Sequence, residues 1–165
     1  MARPTTTQAL TPSILDRLTD YNPSSKTESQ ASRTQLIKEL RESVRRDLEF
    51  FLNTRQPCVP LSGEWSELNK TIINYGIPDF TGVNLDLDHN RENFAKQIEA
   101  LVVNNETRLK AVKVTVIEDY SSIDRTFRFR IDGLLKVEPA VKPVVFDSTM
   151  DPVFKTFDVK DAEGG

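Results

Sequence analysis

Cys58 and His89 are the residues whose types could act together as a nucleophile and its base, because such partners meet in space and not in sequence. Cys58 stands between Pro57 and Val59 in a loop-like stretch, the setting of a bystander thiol. Asp86, Asp88 and His89 crowd the start of an expected helix, where acidic groups complement the positive helix end. One imidazole and one distant thiol supply at most two of the four ligands of a tetrahedral zinc site and leave the rest to carboxylates, so neither a metal nor a cofactor is expected. Paired carboxylates of the kind that cleave glycosidic bonds need a separation of roughly 5 to 10 Å. Glu106 is the acid to name for that chemistry. Arg108 beside it would keep it ionised, which suits an ion pair better than a proton donor. The six glycines are scattered and form neither a phosphate-binding loop nor a dinucleotide fingerprint.

With no catalytic constellation, the expected work is binding, and composition narrows the partner. The 165 residues, 38% apolar with nine phenylalanines, suffice for one domain with one core. Twenty-two basic residues against 25 acidic ones leave no positive field to steer the chain onto nucleic acid. The longest apolar runs, such as Ala100 to Val103, fall far short of the roughly twenty residues that a membrane-spanning helix needs. A lone cysteine and the lack of a secretory signal pattern point to a reducing cytoplasm.

The elements that would position binding residues fall in two groups. Thr11 as N-cap and Pro12 at the first helical position open a short helix near 12–18, with Ile14, Leu15 and Leu18 apolar. Two turns are too short to stand alone, so this helix needs something to dock on. Thr19 to Ala31 is polar and reads as a linker, which makes residues 1–31 a flexible N-terminal segment. A long helix follows, opened by Ser32 and Gln35 in capping-box spacing, with its stripe running from Leu36 to Leu52. Glu42 and Arg46 pair on its other face, and it ends near Asn53 to Arg55. A third helix is expected over Ser66 to Asn74, with Leu68, Ile72 and Ile73 inward and Gly76 as its left-handed terminator. The fourth spans Asp86 to Asn105 through Phe94, Ile98, Leu101 and Val102.

Beyond Asn105 the period changes from 3.6 to 2. Val112, Val114 and Val116, then Phe127, Phe129 and Ile131, alternate with polar residues, and two short strands follow at Val144 to Phe146 and Phe154 to Val159. The expected class is α+β: N-terminal helices, then a small, mainly antiparallel sheet of about four strands in a domain over 32–160, with a tail at 161–165.

Several segments in this order carry a resemblance: Leu10 to Leu18, Ser43 to Arg55, Ile73 to Phe80, Glu106 to Leu109, and Val144 to Asp147. Together they resemble the TssE family of type VI secretion baseplate subunits, related to the wedge proteins of contractile phage tails, from about residue 10 to 159. The family's acidic-Pro-Arg motif falls on Glu106, Thr107 and Arg108, with Thr107 in place of the proline. The resemblance implies a structural baseplate component at the inner membrane complex. It would bind the wedge subunits TssF and TssG, meet TssK, and template polymerisation of the TssB–TssC sheath through an exposed strand edge near Phe157. It also implies protein-binding roles for Glu106 and Arg108, while Leu15 and Leu18, on a short apolar helix with a flexible tether, are expected to dock onto a partner by their own pattern. Thr107, Leu109, Asn53 and Arg55 are structural or interface residues. The alternatives are a peptidoglycan-directed, lysozyme-like hydrolase using Glu106 and a cytoplasmic adaptor with unrelated partners.

Overall fold

A computed structural model describes residues 13–19, 32–58, 67–68, 71–80, 87–117, 126–137, 140–151 and 153–162. The expected linker beyond Thr19 and residues 66, 69 and 70 of the expected third helix lie outside them, as do Thr11, Pro12 and Asp86.

Helix α1 covers Ile14–Leu18, with Ser13 as its cap: the Ser13 hydroxyl accepts from the Asp16 N–H at 3.1 Å. The expected cap, Thr11, is thus displaced by two positions, because Ser13 lies within reach of a free first-turn N–H. Helix α2 runs Arg33–Asn53 and is capped by Ser32 on the Gln35 N–H, as its sequence predicts. Val44, Leu48, Phe51 and Leu52 on its stripe are buried. Glu42 forms an ion pair with Arg45, whereas Arg46 turns to Asp16, so the polar face is arranged differently from the expected Glu42–Arg46 pairing.

Within the expected third helix, Ile72–Asn74 forms a turn of 3-10 helix, and Ile72 is 86% exposed. The inward orientation expected of Ile72 and Ile73 is therefore wrong. Gly76 adopts φ +106° as expected, and the chain beyond it makes a parallel bridge from Ile77 to Arg55. Helix α3, Asp88–Asn105, buries Phe94, Ile98 and Val102.

Strands β1 (Leu109–Val116), β2 (Phe127–Leu135), β3 (Lys142–Met150) and β4 (Phe157–Asp161) form a four-stranded antiparallel sheet in chain order. The α+β architecture is the one the periodicity predicts. A bulge between Lys110 and Lys113, with Ala111 at φ 49°, interrupts the alternation of β1. Phe154 is not in a strand. The Asp151 carboxylate accepts from the Val153 and Phe154 N–H groups at 2.7 and 2.9 Å, which curls this segment into a turn and leaves Phe154 78% exposed.

Helix α3 packs on β1 and α2 on β4, and one face of the sheet supplies the core. Phe80, Phe94, Phe127, Phe129 and Phe157 meet there with ring centroids 5.1 to 6.5 Å apart. Ser148 lies in the same core, 1% exposed, and its hydroxyl has no hydrogen-bond partner among the described residues. Ser148→Ala is therefore expected to stabilise the fold by about 1 kcal/mol, read as a higher urea midpoint at unchanged slope.

Candidate functional site

Five side chains from three parts of the chain close a ring beside the middle of α2. Ser43, Arg46 and Asp47 share a face of that helix, being three and four positions apart. Asp16 reaches them from α1, and Arg108 from the corner between α3 and β1. The Asp16 carboxylate pairs with Arg46 at 2.5 Å and accepts from the Ser43 hydroxyl at 2.8 Å. Arg46 Nε lies 3.8 Å from Asp47, whose other oxygen accepts from Arg108 Nη2 at 2.6 Å. Arg108 Nη1 donates to Ser43 Oγ at 3.3 Å, which completes the circuit.

Glu106 joins the ring through Arg108. Its oxygens accept from the Arg108 N–H, Nε and Nη2 at 3.1, 2.8 and 2.5 Å, and its side chain is 11% exposed. Hydrogen bonding to Glu106, stronger here than the opposing effect of burial, raises the Arg108 guanidinium pKa and keeps it charged. Thr107 is exposed, and its carbonyl accepts from Lys136 Nζ; Leu109 is buried at the start of β1. Tyr75 is partly buried near the ring, and burial followed by the charges of Asp47 and Glu106 pushes its phenol pKa up.

Leu15 and Leu18 are on the outside of this arrangement. Ile14, Leu15 and Leu18 are 76, 62 and 78% exposed, so α1 meets α2 through Asp16 and not through its apolar residues. Burial raises the Asp16 carboxyl, but bonds from Arg46, Ser13 and Ser43 and the Arg46 charge outweigh it, leaving a pKa of about 2 against the ordinary 3.8. Because the docked value is the lower one, the contribution of Asp16 to docking is present above pH 3.8 and lost as pH falls toward 2. A nitroxide at Leu15→Cys in a Cys58→Ser background is expected to broaden the amides of Ser43 to Asp47 at neutral pH, and to stop doing so in that acid window.

Asn53 closes the C-terminal end of α2 and Arg55 follows just beyond it. The Asn53 amide donates to the Phe157 carbonyl at 2.8 Å while its oxygen accepts from the Phe157 N–H at 2.8 Å. Arg45 donates to the Val159 carbonyl at 2.8 Å. By register these are groups on the outer side of β4, so α2 closes much of the edge expected to lie open near Phe157. Arg55 donates to the Leu52 and Lys155 carbonyls at 2.9 and 2.7 Å and lies over the Phe80 ring at 4.5 Å. Burial lowers its pKa.

The opposite edge, β1, is less covered. The Val114 N–H faces outward and donates to Glu99 of α3 at 2.8 Å. A shallow cavity of about 230 Å³ lies beside it, lined by Arg91, Glu92 and Lys96 of α3 and by Val114 to Val116. Sequence reasoning passed over Asp16, Ser43, Asp47 and Glu99, all polar residues on helices whose partners are remote in sequence.

Cys58 is exposed, and the exposed His89 ring bonds to Asn93. No group of three or more metal-ligating side chains occurs among the described residues, and none of the helices searched there is long and apolar enough to cross a membrane.

The family model described as baseplate wedge protein gp25 matches residues 38–140, more than half of the chain. The match contains most of α2, the Gly76 turn, α3, the Glu106 to Leu109 corner, β1 and β2. No curated protein matches.

Proposed function

The chain belongs to the baseplate wedge protein gp25 family, a family of structural components of phage-like baseplates, and on that premise we propose that it is the wedge component of a type VI secretion baseplate. In this reading it binds TssF and TssG, stands in the same assembly as TssK at the inner membrane complex, and starts the TssB–TssC sheath. Glu106 and Arg108 mark the side turned to the wedge subunits, together with Leu15 and Leu18.

The observation that carries the sheath part of the proposal is the difference between the two sheet edges. On β4, Asn53 and Arg45 take the outward groups of Phe157 and the Val159 carbonyl. On β1, the backbone groups of Val116 point away from β2 beside the α3 groove and have no partner among the described residues, while its side chain packs against the core. A strand from a neighbouring chain would therefore add to β1, with backbone bonds for affinity and alternate side chains for register.

A proline at Phe157 would break the joint between α2 and β4 and confuse folding with assembly. Val116→Pro is the cleaner test, because the N–H it removes points away from β2 and proline is tolerated on an edge. Co-expressed with TssB and TssC, the variant is expected to fold yet fail to start sheath tubes. Tubes at wild-type frequency would exclude the β1 edge.

The hydrolase alternative requires Glu106 to be open to a substrate. Both of its oxygens are engaged by Arg108, an arrangement that favours the ion-pair reading over the proton donor.

A further inference from the structure

We propose that Glu99 is a built-in cap on the β1 edge that bars a second copy of this chain from pairing there, and so keeps the edge for a strand of a different protein. The inference rests on β1 being the edge that accepts a strand, and not on which chain supplies it.

The two sheet edges are closed by different means. On β4 the Asn53 amide both donates to and accepts from Phe157, and Arg45 takes the Val159 carbonyl, so backbone donors and acceptors are both matched. On β1 the cover is a single carboxylate. Glu99 of α3 accepts from the Val114 N–H at 2.8 Å, the distance at which the carbonyl oxygen of an added strand would stand. An ionised carboxylate has no proton to give, so it does nothing for the neighbouring carbonyls. The Val114 carbonyl and both backbone groups of Val116 have no partner among the described residues.

The pairing with β2 fixes which groups face out. The Ile117 N–H donates to the Arg128 carbonyl, so Ile117, Thr115 and Lys113 turn their backbone groups to β2, and Val114 and Val116 turn theirs to the edge. The bulge between Lys110 and Lys113 breaks this pattern on the other side. Val114 to Val116 is therefore the regular stretch of open edge among the described residues.

An open edge is a template for its own kind unless something blunts it. Two copies meeting about a two-fold axis through Thr115 would set Val114 of each opposite Val116 of the other. Each such antiparallel pair exchanges two backbone bonds, and one of the two needs the Val114 N–H that Glu99 holds. Self-pairing thus meets the cap twice, once in each copy, and loses half of its bonds unless both carboxylates are displaced. A strand from a chain without such a cap meets it once. The same side chain therefore weighs more heavily against the wrong partner than against the right one.

Glu99→Ala removes the acceptor and keeps a strong helix former in α3, whereas Glu99→Gln keeps an acceptor oxygen. Sedimentation velocity over a concentration series, under reducing conditions, is expected to show Glu99→Ala dimerising at a concentration about tenfold or more below that needed by wild type, with Glu99→Gln close to wild type. Adding Val116→Pro to Glu99→Ala removes the other outward N–H and should restore wild-type behaviour. In dilute monomer, amide exchange of Val114 should be about tenfold or more faster in Glu99→Ala than in wild type. An unchanged exchange rate overturns the contact, and association no stronger than that of wild type overturns the cap. Dimers that persist in Glu99→Ala with Val116→Pro overturn the edge as their site. Failure of wild type to start tubes with TssB and TssC overturns the sheath reading alone, because the association comparison needs no partner and still decides the cap.

Discussion

Arg108→Ala is expected to lower stability by about 2 kcal/mol and to abolish capture of the wedge subunits, while leaving a cooperative fold. The guanidinium serves Glu106, Asp47 and Ser43 together, and hydrogen bonds to charged groups contribute roughly 1.5–3 kcal/mol each when desolvated. Its side chain is 28% exposed, so water replaces part of what is lost and the total stays near the value for one such bond. Arg108→Lys restores the charge but not the planar fork, and should recover less than half of the loss. Urea unfolding checks this directly. A change below about 0.5 kcal/mol would mean that the ring is solvated and structurally idle.

The second large effect is at Gly76, where alanine is expected to cost roughly 3–4 kcal/mol. A Cβ there would lie 2.5 Å from the Thr54 carbonyl oxygen, and φ is +106°, a conformation that side chains with a Cβ rarely adopt. Retreat is blocked. The same carbonyl accepts from the Ile77 N–H at 2.9 Å, Gln56 bonds to the Ile77 carbonyl, and Ile77 is fully buried. The strain would therefore reach the end of α2, where Asn53 and Arg55 hold the β4 hairpin. A loss below about 1 kcal/mol would show that this turn yields without disturbing Ile77.

The residues that made the fold legible are those whose signals are local and repeated. Ser32 and the α2 stripe, the α3 face through Phe94 and Ile98, and the alternation in β2 each repeat a period long enough to exclude the other kind of element. Gly76 was legible for a different reason, since a left-handed position before Pro78 calls for glycine. Ile72 and Ile73 misled because, with Leu68, they make a single helical repeat, too short to fix a face. Phe154 misled because the turn that removes it from β4 is made by a side chain, that of Asp151, and by Lys155 at φ 55°.

The site was legible only in part. Glu106 and Arg108 stood out by resemblance, but their intramolecular partners did not, because Arg108 meets Asp47 across 61 positions and Ser43 meets Asp16 across 27. Such contacts are set by how α1, α2 and the α3–β1 corner converge, and no local pattern encodes them. The apolar residues of α1 read as a helix in need of a surface. The structure shows that Asp16 provides the internal attachment and leaves those residues outward.

Co-purification with co-expressed TssF and TssG, using wild type, Arg108→Ala and Arg130→Ala side by side, tests the central claim most directly. The account predicts a stable complex with wild type and with Arg130→Ala, and none with Arg108→Ala at a temperature where circular dichroism shows all three folded. Equal recovery of Arg108→Ala would contradict the assignment of the ring as the contact, and absence of any complex with the wild type would contradict the secretion-baseplate reading itself.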